Sequence, residues 1–228
     1  MQNFFEKLRK RFRDIKDDLI SLCTSSKEFK INDSGINNTI IFKEGVDIDS
    51  LSSFSIKGDN NQIIIGKGSH LINAHFIMES NNNTILIGEH CRITGRCIQK
   101  IVDGNRIEVG NNTTFGNVYI ICGEGRKVKI GEDCMLSFDV SLRTSDSHAI
   151  IDSISKKRVN FGGDIIIGDH VWIAAHVVVL KGVIISDNSV VALKALVVNK
   201  FTSAGIIIGG VPAKVMKEGI NWERPLLG

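Results

Sequence analysis

A six-residue period in the second half of this chain limits the folds open to it more than any other feature. From Ile167 the sequence reads IGDHVW, IAAHVV, VLKGVI, ISDNSV, VALKAL and VVNKFT. The first place of each hexad is Ile167, Ile173, Val179, Ile185, Val191 or Val197, all β-branched. The second place is mostly small (Gly168, Ala174, Ala192), and the fifth is mostly small or medium (Val171, Val177, Ala195). A fixed-period repeat sets the architecture, because each unit buries its apolar side only against its neighbours. Six residues make one short strand and a corner, and three such units close a triangular coil. The leading aliphatic then points inward and stacks on its equivalent one coil away. A helical reading fails, since no i, i+3, i+4, i+7 stripe survives these Gly-punctuated runs. The expected fold is all-β, a parallel β-helix.

The pattern extends upstream, three hexads at a time, through Ile65, Leu71 and Ile77, then Val109, Phe115 and Ile121, then Ile130, Leu136 and Leu142. Ile87 and Ile93 open a further set that degenerates near Gln99. The Ile/Val-Gly pairs at 65, 87, 109 and 130 are 21 or 22 residues apart. That interval predicts an 18-residue coil plus an extra turn near SNNNT, VDGNR and GEGRK. These inserts carry the Asn and Gly that tolerate positive φ. The composition agrees: 22 Gly, 2 Pro and 43% hydrophobic residues suit β-structure with many turns. A net charge of +3 gives no reason to expect a nucleic-acid partner. No run approaches the ~20 apolar residues of a membrane span. The N-terminus lacks the apolar core of an export signal, so a cytoplasmic location is expected. Five cysteines without CxxC or zinc-like spacing read as buried free thiols.

Residues 1–30 read differently. Phe5, Leu8, Phe12, Ile15, Leu19 and Leu22 alternate steps of three and four, an a/d seam that predicts a short amphipathic helix packing on protein. Its basic residues, Lys7 to Lys16, allow weak membrane-surface association, which Asp14, Asp17 and Asp18 oppose. The expected organisation is this helix, a β-helix over 31–205, and a C-terminal tail over 206–228.

The hexads break once. After Leu142 comes RTSDSHAIIDSISKKRVNFGGD, and the register resumes only at Ile167. An insertion of about residues 143–165 must leave the solenoid as a loop, a usual place for function on a rigid scaffold. It carries His148, and histidine is the side chain best suited to act as a general base at neutral pH. The alternative is a surface imidazole satisfied by water. Asp146 and Asp152 are candidates to orient the ring, although turn-making is the commoner job for Asp. Trp172 precedes an inward Ile173 and so points outward, where an indole needs a ligand or a neighbouring subunit to cover it.

The string SDSHAIID, the 24-residue step from His148 to Trp172, VWIAAHVVVLKGV, and GGVPAKV together resemble the hexapeptide-repeat acyltransferases, most of all the polysialic acid and capsule O-acetyltransferases. The likeness spans roughly residues 60–215. It implies a left-handed β-helix, a homotrimer with active sites between subunits, acetyl-CoA as co-substrate, and a polysaccharide or sugar acceptor. By the same resemblance His148 is the general base, and Trp172 lies beside the thiol end of acetyl-CoA. Lys181, Lys194, Lys200 and Lys214 would meet CoA phosphates. Ala174 and Ala192 would let the pantetheine approach the backbone, and Pro212 lies in the segment that crosses the adenine end. Arg143, Ser145 and Asp146 fall on the acceptor side, and the basic residues Arg143, Lys156, Lys157 and Arg158 suit an acidic glycan such as a sialic acid polymer. The sequence departs from the family pattern with IAA for IGA and VALKALV for GAGSVV. No metal is expected: γ-class carbonic anhydrases share the fold, but His70 and His75 have no preceding His as third zinc ligand. Two other readings are a small-acceptor acetyltransferase, for a galactoside, serine, antibiotic or amino-sugar nucleotide, and a non-catalytic scaffold.

Overall fold

A computed structural model describes residues 28–226. The expected N-terminal helix lies outside the described residues, apart from the last few positions assigned to it. From Lys30 the chain winds as an all-β solenoid of about eight turns. In each turn a long or split strand covers two faces, which together form one large sheet, and a short strand forms the third. Pairing is parallel between turns. On the first face Met135 neighbours Trp172, then Val190, then Ile207. On the second, Leu142 neighbours Val179 and then Val197. On the third, Ile130 neighbours Ile167 and then Ile185.

The hexad rule accounts for the core. Ile167, Ile173, Val179, Ile185, Val191 and Val197 are all buried in one continuous cluster. The fifth places are buried as well, from Val171 to Phe201. The fourth place makes the corner by entering the left-handed region: φ is 53° at His170, 59° at His176, 80° at Gly182, 56° at Asn188 and 58° at Lys194. One such residue per corner redirects the chain while the inward positions stay in line.

Upstream, strict counting by six is wrong in three coils. Phe76 and Met78 point inward rather than Ile77, and the equivalents of Phe76 in the next coils are Cys97 and Ile120. Ile121 is buried but outside the central core. The set opened by Ile87 does not degenerate at Gln99. That side chain lies inward beside Met78 and Cys122, its amide donating to the carbonyls of Thr84 and Asn105 at 2.9 Å each. The cause is a corner shortened by one residue in the coils of Leu71 and Phe115, and by two in that of Ile93. Gly95 makes the tightest of these possible. Its φ is 121°, and a Cβ there would stand 2.1 Å from the Val118 carbonyl oxygen.

The inserted turns stack. Asn83 donates its backbone N–H to Asn61 Oδ1 at 2.9 Å, Asn105 does the same to Asn83 Oδ1 at 2.9 Å, and Gly125 N–H reaches Asn105 Oδ1 at 3.0 Å. Each amide satisfies a backbone donor that leaves the sheet ladder. Cys91, Cys97, Cys122 and Cys134 are free and buried. Burial pushes the Cys97 and Cys134 thiols up to about 12 and Cys122 to about 11, so these are inert core residues.

Candidate active site

The insertion leaves the second face after strand Met135–Arg143 and rejoins the third face at Ile165–Ile167. It is tied down at its base. Glu124, in the turn of the preceding coil, accepts hydrogen bonds from Ser145 Oγ at 2.5 Å, Arg158 Nη2 at 2.7 Å and the Gly162 N–H at 3.1 Å. The Arg158 hydrogen bond, more than any other contact, holds the Glu124 carboxyl at about 2. Between these anchors Ile151 bridges Arg158 as a small hairpin. Asp152 caps its turn, accepting from Ser155 N–H at 2.6 Å and Ser155 Oγ at 2.7 Å.

Asn160 carries this order to His148. Its amide donates to the His148 carbonyl at 2.8 Å and to Asp146 Oδ2 at 2.7 Å, while its oxygen accepts from Ile150 N–H at 2.7 Å. Asp146 also binds Lys181, which donates to the Asn160 carbonyl at 3.2 Å. The His148 backbone is therefore fixed while its imidazole is exposed and takes no hydrogen bond within the described residues. Neither Asp146 nor Asp152 orients the ring, because each carboxylate is committed elsewhere. Such an imidazole is positioned by its main chain and open to an incoming hydroxyl.

Trp172 stands on a different part of the prism. It points outward from the first face at 36% exposure, and its aromatic neighbour is Trp222, 6.1 Å away and tilted by 45°. Ala174 and Ala192 start the corner beyond it, where the Ala174 N–H donates to the Val191 carbonyl. Lys194 sits on that same corner. Pro212 lies in the turn between Ile206–Gly210 and the antiparallel strand Ala213–Glu218, which places Lys214 beside Gly209 near Ala192. Lys194, Lys200 and Lys214 are exposed and pair with no carboxylate among the described residues.

The expected site residues thus fall into two groups. Arg143, Ser145, Asp146, His148, Lys181 and Lys200 gather where the second face meets the third. Trp172, Ala174, Ala192, Lys194, Pro212 and Lys214 line the first face and the corner after it. In a triangular coil the junction of the second and third faces lies opposite the first face. No contact joins His148 to Trp172 within one chain. Lys181, expected at a CoA phosphate, is held by Asp146 on the loop side.

Glu124, Asn160 and Trp222 escaped the sequence reading. Glu124 lies in an insert that reads only as a turn, and its role needs the loop to fold onto the coil before it. The His70 and His75 pair is occupied by neighbours: His70 lies 3.5 Å from Asp47, and His75 bonds Ser53 Oγ at 2.8 Å and Asn73 Oδ1 at 3.0 Å. Among the described residues, no three His, Cys, Asp or Glu side chains come together to hold a metal ion.

No protein-family model matches the chain. A polysialic acid O-acetyltransferase of Neisseria meningitidis is 33% identical over 195 residues, covering 86% of this chain and 90% of the relative. The crystal structure of the polysialic acid O-acetyltransferase OatWY superposes with a TM-score of 0.81 at 31% identity, over 88% of this chain and 93% of that one. The structure of the polysialic-acid-specific acetyltransferase NeuO gives 0.77 at 31% identity, over 86% and 89%.

Proposed function

The chain belongs to the hexapeptide-repeat acetyltransferase family, and from that premise we propose that it moves the acetyl group of acetyl-CoA to a hydroxyl of an acidic surface polysaccharide, a sialic acid polymer above all. The observation that carries this reading is the ordered loop that presents an unencumbered His148, in a chain that matches a polysialic acid O-acetyltransferase along nearly its whole length. The His148 imidazole takes the proton from the acceptor hydroxyl as its oxygen attacks the thioester carbonyl. The C–S bond breaks, the CoA thiolate recovers the proton, and the sugar ester is released. A thioester is already activated, so no acyl-enzyme is needed.

The acetyl donor fits the first face. Trp172 offers an exposed aromatic wall, Ala174 and Ala192 are small, and Lys194 and Lys214 are cations with no carboxylate partner among the described residues, suited to the phosphates. The acceptor fits the loop, where Arg143, Lys156 and Lys157 are exposed without carboxylate partners among the described residues. Because one chain holds these halves on opposite sides of the prism, the working site lies between copies, the loop of one against the first face of the next. A closed ring of three such heterologous contacts gives the homotrimer. The test is thiol release from acetyl-CoA with polysialic acid, a neutral capsule polysaccharide and a small galactoside as acceptors. Turnover on polysialic acid supports the proposal, and turnover confined to the galactoside replaces it with the small-acceptor reading.

A further inference from the structure

Beyond Glu218 the chain turns back and climbs the corner between the third and first faces, one rung at a time. The Ile220 N–H donates to the Gly205 carbonyl at 2.9 Å. Trp222 stacks on the His170 ring with centroids 4.3 Å apart and planes 11° from parallel, and its indole N–H donates to the His170 carbonyl at 2.8 Å. Arg224 then grips two coils: Nε on Asp133 Oδ1 at 2.9 Å, Nη1 on Thr114 Oγ1 at 3.0 Å, and Nη2 on the carbonyls of Cys134 at 3.0 Å and Asn112 at 3.2 Å. Trp222 is only 6% exposed and lies against Trp172.

We propose that this segment is a latch that positions Trp172, with Trp222 as the positioning residue that braces the indole from the corner between the third and first faces. This rests on the reading that Trp172 borders the acetyl donor. Trp172 has no second aromatic neighbour among the described residues, so the side from which Trp222 packs sets its tilt. The latch carries its own proton requirement. His170 Nδ1 lies 2.9 Å from Asp133 Oδ2 and Nε2 lies 2.9 Å from the Trp222 carbonyl oxygen. Both partners are acceptors, so both bonds form only with the imidazolium. The charged groups around the ring are Asp133 from the coil above, and Glu223 and Arg224 from the tail. Burial lowers the His170 pKa, but the bonds to Trp222 and Asp133 outweigh it and the net shift is upward. A raised pKa means that the latch is complete below about pH 6.5 and loosens as pH rises through the folded value.

The two tryptophans of the sequence, Trp172 and Trp222, provide the readout. Their indoles are close enough to couple, so the intact protein should show an exciton couplet in far-ultraviolet circular dichroism that is lost in Trp222→Phe and in Trp172→Phe. Arg224→Ala should weaken the couplet, and raising the pH should weaken it in the wild type but not in His170→Gln. Trp222→Ala should raise the KM for acetyl-CoA roughly three- to ten-fold, the size of one aromatic pair, with the acceptor KM unchanged and rescue by Trp222→Phe. A couplet indifferent to Arg224→Ala and to pH, or an acetyl-CoA KM that Trp172→Phe raises and Trp222→Ala leaves unmoved, would overturn the latch. Should Trp222→Ala fail to fold, Arg224→Ala and the pH response of the wild type still decide through the couplet. An acetyl-CoA KM unchanged in Trp172→Phe, with the couplet behaving as described, sinks the donor-site reading alone.

Discussion

At the scale of single residues, His148 and Glu124 do different work and should fail differently. His148→Ala removes the proposed base, whose imidazole takes no hydrogen bond among the described residues, so thermal unfolding should be unchanged while kcat drops by at least ~10²-fold. Wild-type turnover in a folded His148→Ala protein would end its assignment as the base. Glu124 ties Ser145, Arg158 and Gly162 together beneath the loop. Glu124→Ala should loosen the insertion, seen as faster tryptic cleavage after Lys156 or Lys157 and a higher acceptor KM. The same anchor sets an acid limit. Its carboxyl titrates at about 2 instead of the ordinary 4.5, so its contribution is whole above about pH 4.5 and is lost as pH falls toward 2. Loop protection from pepsin that stays constant across that window would contradict this.

At the scale of the coil, the molecule departs from the hexad rule at its upstream turns and compensates with polar ladders and, at its tightest corner, with Gly95. Gly95→Ala puts a methyl group into the Val118 carbonyl at a φ that L side chains avoid, a cost of about 1–3 kcal/mol for the backbone strain alone. Asn83→Ala removes the acceptor for the Asn105 N–H and a donor to the Asn61 oxygen within the buried ladder. Leaving buried partners unsatisfied costs about 1–3 kcal/mol. Both variants should melt at clearly lower temperature, with kcat per folded molecule unchanged because neither position approaches the loop or the first face around Trp172. Equal melting of Asn83→Ala and wild type would show the ladder to be replaceable by water.

At the scale of the whole molecule, the separation of His148 from Trp172 makes a prediction that no single-chain site shares. His148→Ala and Trp172→Ala proteins, each impaired alone, should regain activity when refolded or co-expressed together. Interfaces that join the intact loop of one mutant to the intact first face of the other make up roughly a quarter of the total under random mixing. Absence of any recovery in demonstrably mixed oligomers, or a stable active monomer in equilibrium sedimentation, would place the complete site within one chain.

The hexad period is enough to specify the solenoid. A β-branched residue at every sixth position from Ile167 to Val197 leaves no other way to bury the row, and the break after Leu142 marked the loop that carries His148. It also placed Trp172 outward, because its neighbour Ile173 must point in. Ile77, Ile121 and Gln99 were misread because a corner can lose one or two residues without changing composition, and only the pairing of adjacent strands reveals the lost count. The tertiary structure alone decided which faces the site residues occupy. It gave Asp146 to Lys181 instead of His148, and brought Glu124 beneath a loop 21 residues further on, since Ser145 reaches it only once consecutive coils are stacked. It also set Trp222 against a tryptophan 50 residues earlier in the sequence. A six-residue period specifies where a side chain points within its own coil. Which coils and which tail meet at a given corner depends on the summed lengths of every insertion between them, and that sum becomes a position only when the solenoid closes.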